Sequence, residues 1–269
     1  MTLTIKKDIQ YAAGLALDWY QPQGQSLKGL LIAIHGGGWF QGDKAKDADV
    51  AQWLAEQGYL VVVPNYRLAP SYKFPAPLLD MNRLFNWLQQ NAPQVPLAAI
   101  GASAGGNLAV ELGLNYGIPA VSLSGILDIA HWLTTHPAVV AKPRQTADLL
   151  DKLDSAVINQ AGTDESFYKW FITNYVTDEQ SRAATPYQHV SSASGPMLLI
   201  NSLDEFVPIT GVARLSQRLT QVKVPVETIS LTGSRHGKAY FDEVKANILL
   251  FLQRYLTALG PVKLTNEII

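Results

Sequence analysis

The sequence predicts an α/β fold, with a mostly parallel central sheet and helices on both faces. Continuous apolar runs such as residues 29–34 and 59–63 are typical of strands buried on both faces. Segments with helical periodicity separate these runs, and such alternation with short connections favours parallel pairing. The length of 269 residues lies within the range of one α/β domain. We therefore expect a single domain over residues 1–269.

The individual elements follow from the same patterns. Residues 2–20 alternate partly with period two around Ala13-Gly14, which predicts an antiparallel hairpin at the sheet edge. The predicted strands that follow are residues 29–34, 59–63, 97–100, 121–124, 196–200 and 224–231. The predicted helices are residues 50–57, residues 78–90, the segment after Ser103, and residues 238–256.

One long connection interrupts this alternation. About seventy residues separate the strand that ends near Ser124 from the one that begins near Pro196, several times the usual length. Residues 147–159 and 166–175 have helical periodicity, and the connection is rich in aromatic residues. We expect a helical insertion over residues 131–190. One interpretation is that this insertion only packs against the domain as ordinary helices, and the other is that it covers a binding site as a lid. The two interpretations are compatible.

Composition excludes several classes of partner. Lys and Arg total 21 against 22 Asp and Glu, so nothing indicates binding to nucleic acid or to an anionic membrane. The absence of cysteine excludes disulfides and thiolate chemistry. No apolar run has the length of a signal peptide or a membrane span. We therefore expect a cytoplasmic monomer or homodimer that binds a small molecule and does not insert into membranes.

The stretch GASAGGN at residues 101–107 predicts a strand, a sharp turn and a helix. Gly101 and Gly105 flank Ser103 in a G-x-S-x-G pattern, which exposes a serine at a strained turn. The first N–H groups of the helix favour negative charge near that serine. A nucleotide-binding loop would need G-x-G-x-x-G, or a lysine after the glycines, and neither is present. Ser103 is therefore the candidate nucleophile.

A serine nucleophile needs a base, and His236 is the candidate among the five histidines. It lies in a polar loop after the last predicted strand, where its side chain can reach the C-terminal edge of the sheet. His131 and His136 fall in the insertion and His189 precedes a strand, so we expect surface or lid positions for them. None has the spacing of a metal site, and we expect no metal and no cofactor.

Three carboxylates are candidates to orient that histidine. Asp204 and Glu205 directly follow the predicted strand at residues 196–200, and the order serine, acid, histidine fits this type of site. Asp204 is preferred because it is shorter and better placed, whereas Glu205 is also typical of a helix start. Asp128 follows another strand end and stays open.

The stretch HGGGW at residues 35–39 follows the first central strand. Such a loop can direct backbone N–H groups at a carbonyl oxygen near Ser103. We expect the N–H groups of Gly37, Gly38 and Ala104 to form an oxyanion hole. A phosphate-binding loop is the alternative, but the lysine or serine that it requires does not accompany the glycines.

Seven stretches span nearly the whole chain in one order: HGGGW at 35–39, GDK at 42–44, NYRLAP at 65–70, FPAP at 74–77, GASAGG at 101–106, LDEFVP at 203–208 and HG at 236–237. Together they resemble the motifs of α/β-hydrolases, close to the hormone-sensitive-lipase-like esterases and the related kynurenine formamidase and feruloyl esterase-like proteins. The resemblance implies an α/β-hydrolase fold and a structural role for His35. Too few residues precede His35 for the helical cap of the lipase-like group, so the insertion would cover the site. Lys238 stands where that group has an aliphatic or aromatic residue.

We therefore expect a serine carboxylesterase that hydrolyses small or short-acyl esters with Ser103, Asp204 and His236. An arylformamidase that cleaves N-formylkynurenine would use the same residues. A catalytically silent binder of small molecules is the alternative from another class. The expected substrate pocket consists of aromatic residues: Trp39, Trp132, Phe167, Trp170, Phe171 and Phe206.

Overall fold

The structure, a computed structural model, describes residues 2–143 and 162–259. Within these residues the strands form one sheet: β1 (Leu3–Ala12), β2 (Leu15–Pro22), β3 (Leu30–Ile34), β4 (Leu60–Pro64), β5 (Leu97–Ala102), β6 (Ala120–Leu123), β7 (Met197–Ser202) and β8 (Val226–Leu231). The helices there are α1 (Ala48–Glu56), α2 (Ala76–Asn91), α3 (Ala104–Tyr116), α4 (Ala130–Thr135), α5 (Glu165–Tyr175), α6 (Thr210–Gln221) and α7 (Phe241–Leu259).

The sheet has the strand order β1-β2-β4-β3-β5-β6-β7-β8. β1 pairs with β2 and β2 pairs with β4 in antiparallel register, which confirms the predicted edge hairpin. Each pairing from β4 through β3, β5, β6 and β7 to β8 is parallel. Because parallel strands share one direction, the loops after β3, β5, β7 and β8 meet at the same edge of the sheet.

Both faces of the central strands are buried, as their continuous apolar runs predict. Alternate residues such as Leu31 and Ala33 of β3 pack against α1 and α7. The residues between them, such as Ile32, pack against α2 and α3 on the opposite face. A third cluster joins α3 and α6 to β7. The strands therefore form a fixed base from which the edge loops project.

The insertion and the chain end differ from prediction in detail. The helix expected over residues 166–175 is α5, whereas the expected helix over residues 147–159 lies outside the described residues. α4 and α6 are absent from the sequence prediction. A single 3-10 turn over Gly237–Tyr240 precedes α7, so this helix begins three residues later than expected. The tail at residues 260–269 also lies outside the described part of the chain.

Candidate active site

Ser103 lies at the apex of the turn between β5 and α3. Its φ of 57° and ψ of −121° place a non-glycine residue in a sparsely populated conformation, which costs about 1–3 kcal/mol. The backbone N–H of Ser103 donates to the carbonyl of Leu123 at 2.8 Å, and its own carbonyl accepts from Asn107 N at 3.1 Å. These bonds hold the strained turn between β6 and the first turn of α3.

The flanking glycines allow this turn to be tight. A Cβ on Gly101 would lie 2.2 Å from the carbonyl oxygen of Gly105, and a Cβ on Gly105 would lie 2.0 Å from that of Ile34. Real Cβ atoms do not approach backbone this closely, so any side chain here would push β5, α3 and β3 apart. The G-x-S-x-G pattern therefore has the steric cause that the sequence suggests.

The acid beside His236 is Glu205, and the preference for Asp204 is wrong. Nδ1 of His236 is hydrogen-bonded to Oε2 of Glu205, and both side chains are buried. Asp204 is exposed, because its backbone N–H pairs with the carbonyl of Gly233 and its side chain faces outward at the turn. The neighbouring Phe206 and Val207 are buried as well, so the chain turns inward directly after Asp204. With Nδ1 donating to a carboxylate, Nε2 of His236 carries the lone pair.

Glu205 is held by four hydrogen bonds in a buried setting. Besides His236, it accepts from Ser124 Oγ at 2.8 Å, Ser202 N at 2.9 Å and Asn201 Nδ2 at 3.1 Å. A buried carboxylate needs such donors, since an unpaired charge there is costly. This fixes the carboxylate and, through it, the imidazole ring.

Ser124 is a residue that the sequence analysis missed. Its Oγ donates to Glu205, accepts from Gly237 N at 2.8 Å and lies 2.8 Å from the hydroxyl of Tyr240. Ser124 is fully buried and has a positive φ of 52°. It therefore connects the acid to the turn that follows His236. Neither periodicity nor a named motif indicated it, because its partners are distant in sequence.

Asp128 does not contact His236 and is not the acid of this site. Its carboxylate instead accepts from Tyr187 at 2.9 Å and pairs with His131 at 3.2 Å and Arg214 at 3.3 Å. These partners belong to the insertion and to α6. Asp128 therefore joins the insertion to the sheet edge, and His131 is partly buried in that network.

The glycine loop after β3 lies beside Ser103. Gly37 has a φ of 122°, and a Cβ there would lie 2.1 Å from the carbonyl oxygen of Gln41. The Gly37 carbonyl accepts from Phe40 N and Gln41 N at 3.1 Å, which closes the loop. Gly37 and Gly38 line the same cavity as Ser103, and Ala104 begins α3 directly after it. This arrangement is compatible with the predicted oxyanion hole.

His35 lies beneath this loop and is fully buried. Its ring stacks on Tyr66 at 4.3 Å between centroids, its Nδ1 is bonded to the carbonyl of Gly36 at 2.8 Å, and its own carbonyl accepts from the Tyr66 hydroxyl. Burial lowers the pKa of His35 to about 4, so the ring is neutral at pH 7. These contacts are compatible with the structural role that the resemblance implies for His35.

Ser103 and His236 line one open cavity of about 670 Å³, a volume that includes solvent at its mouth. Three of the expected pocket residues, Phe167, Phe171 and Phe206, line it as well. Phe206 also contacts His236, with 4.4 Å between ring centroids. The remaining lining residues are Gly36, Gly37, Gly38, Phe40, Gln41, Lys46, Asp47, Ala102, Gly237 and Lys238. The cavity thus has an apolar aromatic side and a polar side, and the polar side was not predicted.

Three expected pocket residues do not line this cavity, so their assignment is corrected. Trp39 is fully buried and stacks on Tyr175 at 3.9 Å, because its positive φ turns the side chain into the core. Trp132 stacks on His136 at 4.5 Å at the start of the insertion. Trp170 packs edge-on against the lining residue Phe40 at 4.9 Å but does not line the cavity itself. All three stabilise the packing around the site.

Two general features bear on ligands. Within residues 2–143 and 162–259, no group of three or more His, Cys, Asp or Glu side chains has the arrangement of a metal site. The helices described there include none with the length and apolar character needed to cross a bilayer. Among the residues that line the cavity, Ser103 and His236 have side chains capable of nucleophilic and acid–base chemistry.

Curated relatives include several esterases. Esterase LipC of Mycobacterium tuberculosis is 25% identical over 248 residues, which cover 84% of this chain and 58% of LipC. The ethyl acetate hydrolase of Pseudomonas putida is 26% identical over 212 residues, covering 77% of this chain and 64% of that protein. This chain spans two thirds or less of the length of these relatives.

Solved structures and a family profile identify the fold and the family. An esterase from Pyrobaculum calidifontis has a TM-score of 0.73 at 20% identity, covering 96% of this chain and 86% of that one. A truncated carbohydrate esterase from gut microbiota has a TM-score of 0.74 at 19% identity, covering 94% of this chain and 96% of that one. At such identities the likeness shows the fold alone. The profile described as BD-FAE matches residues 17–219, so the chain belongs to the BD-FAE family and has the α/β-hydrolase fold.

Proposed function

We propose that the protein is a serine carboxylesterase that hydrolyses small or short-acyl esters. The observation that carries this proposal is a serine on a strained strand-to-helix turn that shares a cavity with a histidine bonded to a buried carboxylate. The names of the relatives, among them esterases and an ethyl acetate hydrolase, support the same class of reaction.

The mechanism follows from the roles of these groups. Ser103 Oγ attacks the acyl carbon while Nε2 of His236 takes its proton, and Glu205 stabilises the imidazolium through Nδ1. The tetrahedral oxyanion accepts hydrogen bonds from the N–H groups of Gly37, Gly38 and Ala104. The imidazolium then protonates the leaving alcohol, which leaves an acyl-enzyme. Water attacks that ester with His236 as base, releasing the carboxylic acid and restoring Ser103.

The preference for small acyl groups rests on the shape of the cavity. Phe167 and Phe171 of α5 lie against Phe206, with ring centroids 5.6 Å and 5.8 Å from it. This aromatic side limits the space beside Ser103. We include in the proposal that the insertion at residues 131–190 acts as the lid, with α5 as its described part nearest the cavity.

The proposal is tested with purified protein and p-nitrophenyl esters from acetate to octanoate, with N-formylkynurenine assayed in parallel. We expect ester turnover that is lost in Ser103→Ala, and faster cleavage of acetate or butyrate than of octanoate. Turnover of N-formylkynurenine alone would favour the arylformamidase. If no substrate is turned over and a fluorophosphonate does not label Ser103, the protein is a binder and the proposal is wrong.

A further inference from the structure

A second cavity adjoins the catalytic one. It measures about 300 Å³ including the solvent at its opening, and three of its lining residues, Asp47, Ala102 and Lys238, also line the catalytic cavity. Its other lining residues are apolar and come from β3, α1, β5, β6 and α7: Ala33, Ile34, Val50, Ile100, Gly101, Leu123 and Phe241. We call this second cavity the rear chamber. Since Ala102 directly precedes Ser103, the rear chamber begins one residue from the proposed nucleophile.

Lys238 lies at the boundary between these two cavities and is held there. Its side chain is 9% exposed, and its Nζ donates to the carbonyl of Lys46 at 2.9 Å and to Asp49 Oδ1 at 2.5 Å. Lys46 lies on the segment that leads into α1 and also lines the catalytic cavity, whereas Asp49 lies on α1 itself. The lysine stem therefore spans from the turn after His236 to α1.

Displacing this stem would be costly. A largely buried ammonium that leaves its two acceptors loses charge-assisted hydrogen bonds, which are stronger than neutral ones. An acyl chain on Ser103 that grows towards the rear chamber would have to displace it. The chamber beyond is apolar, so a chain that entered it would gain about fourfold in binding for each methylene buried.

We propose that Lys238 is a specificity-determining residue that closes the catalytic cavity from the rear chamber and thereby limits the esterase to short acyl chains. The inference rests on the proposed esterase function. It assigns chain-length selection to this lysine, which directly follows His236 and Gly237. If Lys238 only braced α1, its loss would lower stability without changing chain-length preference.

The test compares Lys238→Ala with wild type on p-nitrophenyl butyrate and octanoate. We expect the octanoate-to-butyrate ratio of kcat/KM to rise about 15-fold, mainly through a lower KM for octanoate, because about two further methylenes become buried at about fourfold each. The matched control is Lys245→Ala, which removes an exposed lysine of α7 that pairs with Asp242, and its ratio should stay at the wild-type value. An unchanged ratio in folded Lys238→Ala overturns the proposal.

Two further variants make the result specific. Val50→Phe in the Lys238→Ala background fills the rear chamber from α1 without touching the catalytic cavity, and it should reverse the gain on octanoate. If the double variant keeps the gain on octanoate, the acyl chain does not enter the rear chamber and the proposal is contradicted. If Lys238→Ala does not fold, Lys238→Met is measured instead, which keeps the apolar stem but loses both hydrogen bonds. An unchanged octanoate-to-butyrate ratio in Lys238→Met also overturns the proposal. Turnover of p-nitrophenyl butyrate tests the esterase function itself, whereas the octanoate-to-butyrate ratio tests the role of Lys238.

Discussion

The two sides of the catalytic cavity are held by different forces. On the sheet-edge side, Glu205 and His236 are fixed by buried hydrogen bonds whose partners come from β6, β7 and the turn after β8. On the α5 side, Phe167 and Phe171 are held by contacts between aromatic rings. Hydrogen bonds are directional and fix atoms to a few tenths of an ångström, whereas apolar contacts tolerate changes of shape. The proposed catalytic groups therefore lie on the rigid side, and the adaptable side offers apolar contacts to a bound substrate.

Removing Ser124 tests the rigid side and should have a larger effect than a substitution on the aromatic side. In Ser124→Ala, Glu205 loses one donor and Gly237 N loses its acceptor, a cost of about 1–3 kcal/mol that corresponds to a fall in kcat of about 5- to 150-fold. KM should change little, because Ser124 does not line the cavity. The pH profile of kcat should also shift, since the partner of His236 is less well fixed.

The matched control for that variant lies two residues earlier on β6. Ser122 Oγ is buried and has no hydrogen-bond partner among the residues that the structure describes. Ser122→Ala should therefore retain wild-type kcat. If Ser122→Ala and Ser124→Ala lose kcat equally, any substitution at this end of β6 lowers activity. That result would contradict a specific role for Ser124.

A substitution on the aromatic side should have a smaller and different effect. Phe167→Ala enlarges the cavity beside Phe206, so we expect KM for butyrate to rise about threefold to tenfold with kcat nearly unchanged. Trp170→Ala, one turn further along α5 and outside the cavity lining, serves as control and should leave KM unaltered. A loss of kcat as large as that in Ser124→Ala would remove the distinction between the two sides.

The smallest expected effect concerns how the insertion is attached. His189 Nδ1 lies 3.3 Å from Glu111 Oε2 of α3, and the hydrogen bond to this carboxylate raises the pKa of His189 above its usual 6.5. A raised histidine pKa stabilises the fold fully below pH about 6.5, and this contribution is lost as pH rises through the folded-state pKa. The stability advantage of wild type over His189→Gln should therefore be full below pH about 6.5 and shrink in thermal unfolding as the pH rises through the raised folded-state pKa. An advantage that is constant or grows with pH would contradict this assignment.

The sequence predicts the parts of the site that are built from chain neighbours, and it does not predict the parts that depend on distant contacts. The turn at Ser103 and the glycine loop are local, since their steric demands are met by residues that are neighbours in the chain, and both were predicted. The choice between Asp204 and Glu205 depends on which side chain turns inward, and Ser124, 81 residues away from Glu205, decides part of it. The roles of Trp39 and Lys238 likewise depend on contacts with α5 and α1 that no local pattern records.

The most direct test of the central claim compares two neighbouring carboxylates that were both candidates for the acid. Glu205→Gln and Asp204→Asn each replace a carboxylate by an amide of the same size, and kcat/KM for p-nitrophenyl butyrate is measured for both. The buried Glu205 should be required, with a loss of about 10,000-fold, because the amide favours the wrong tautomer of His236. The exposed Asp204 should be dispensable, with a change of less than about threefold. A near-normal Glu205→Gln, or an inactive Asp204→Asn, would contradict the assignment of Ser103, His236 and Glu205 as the catalytic residues.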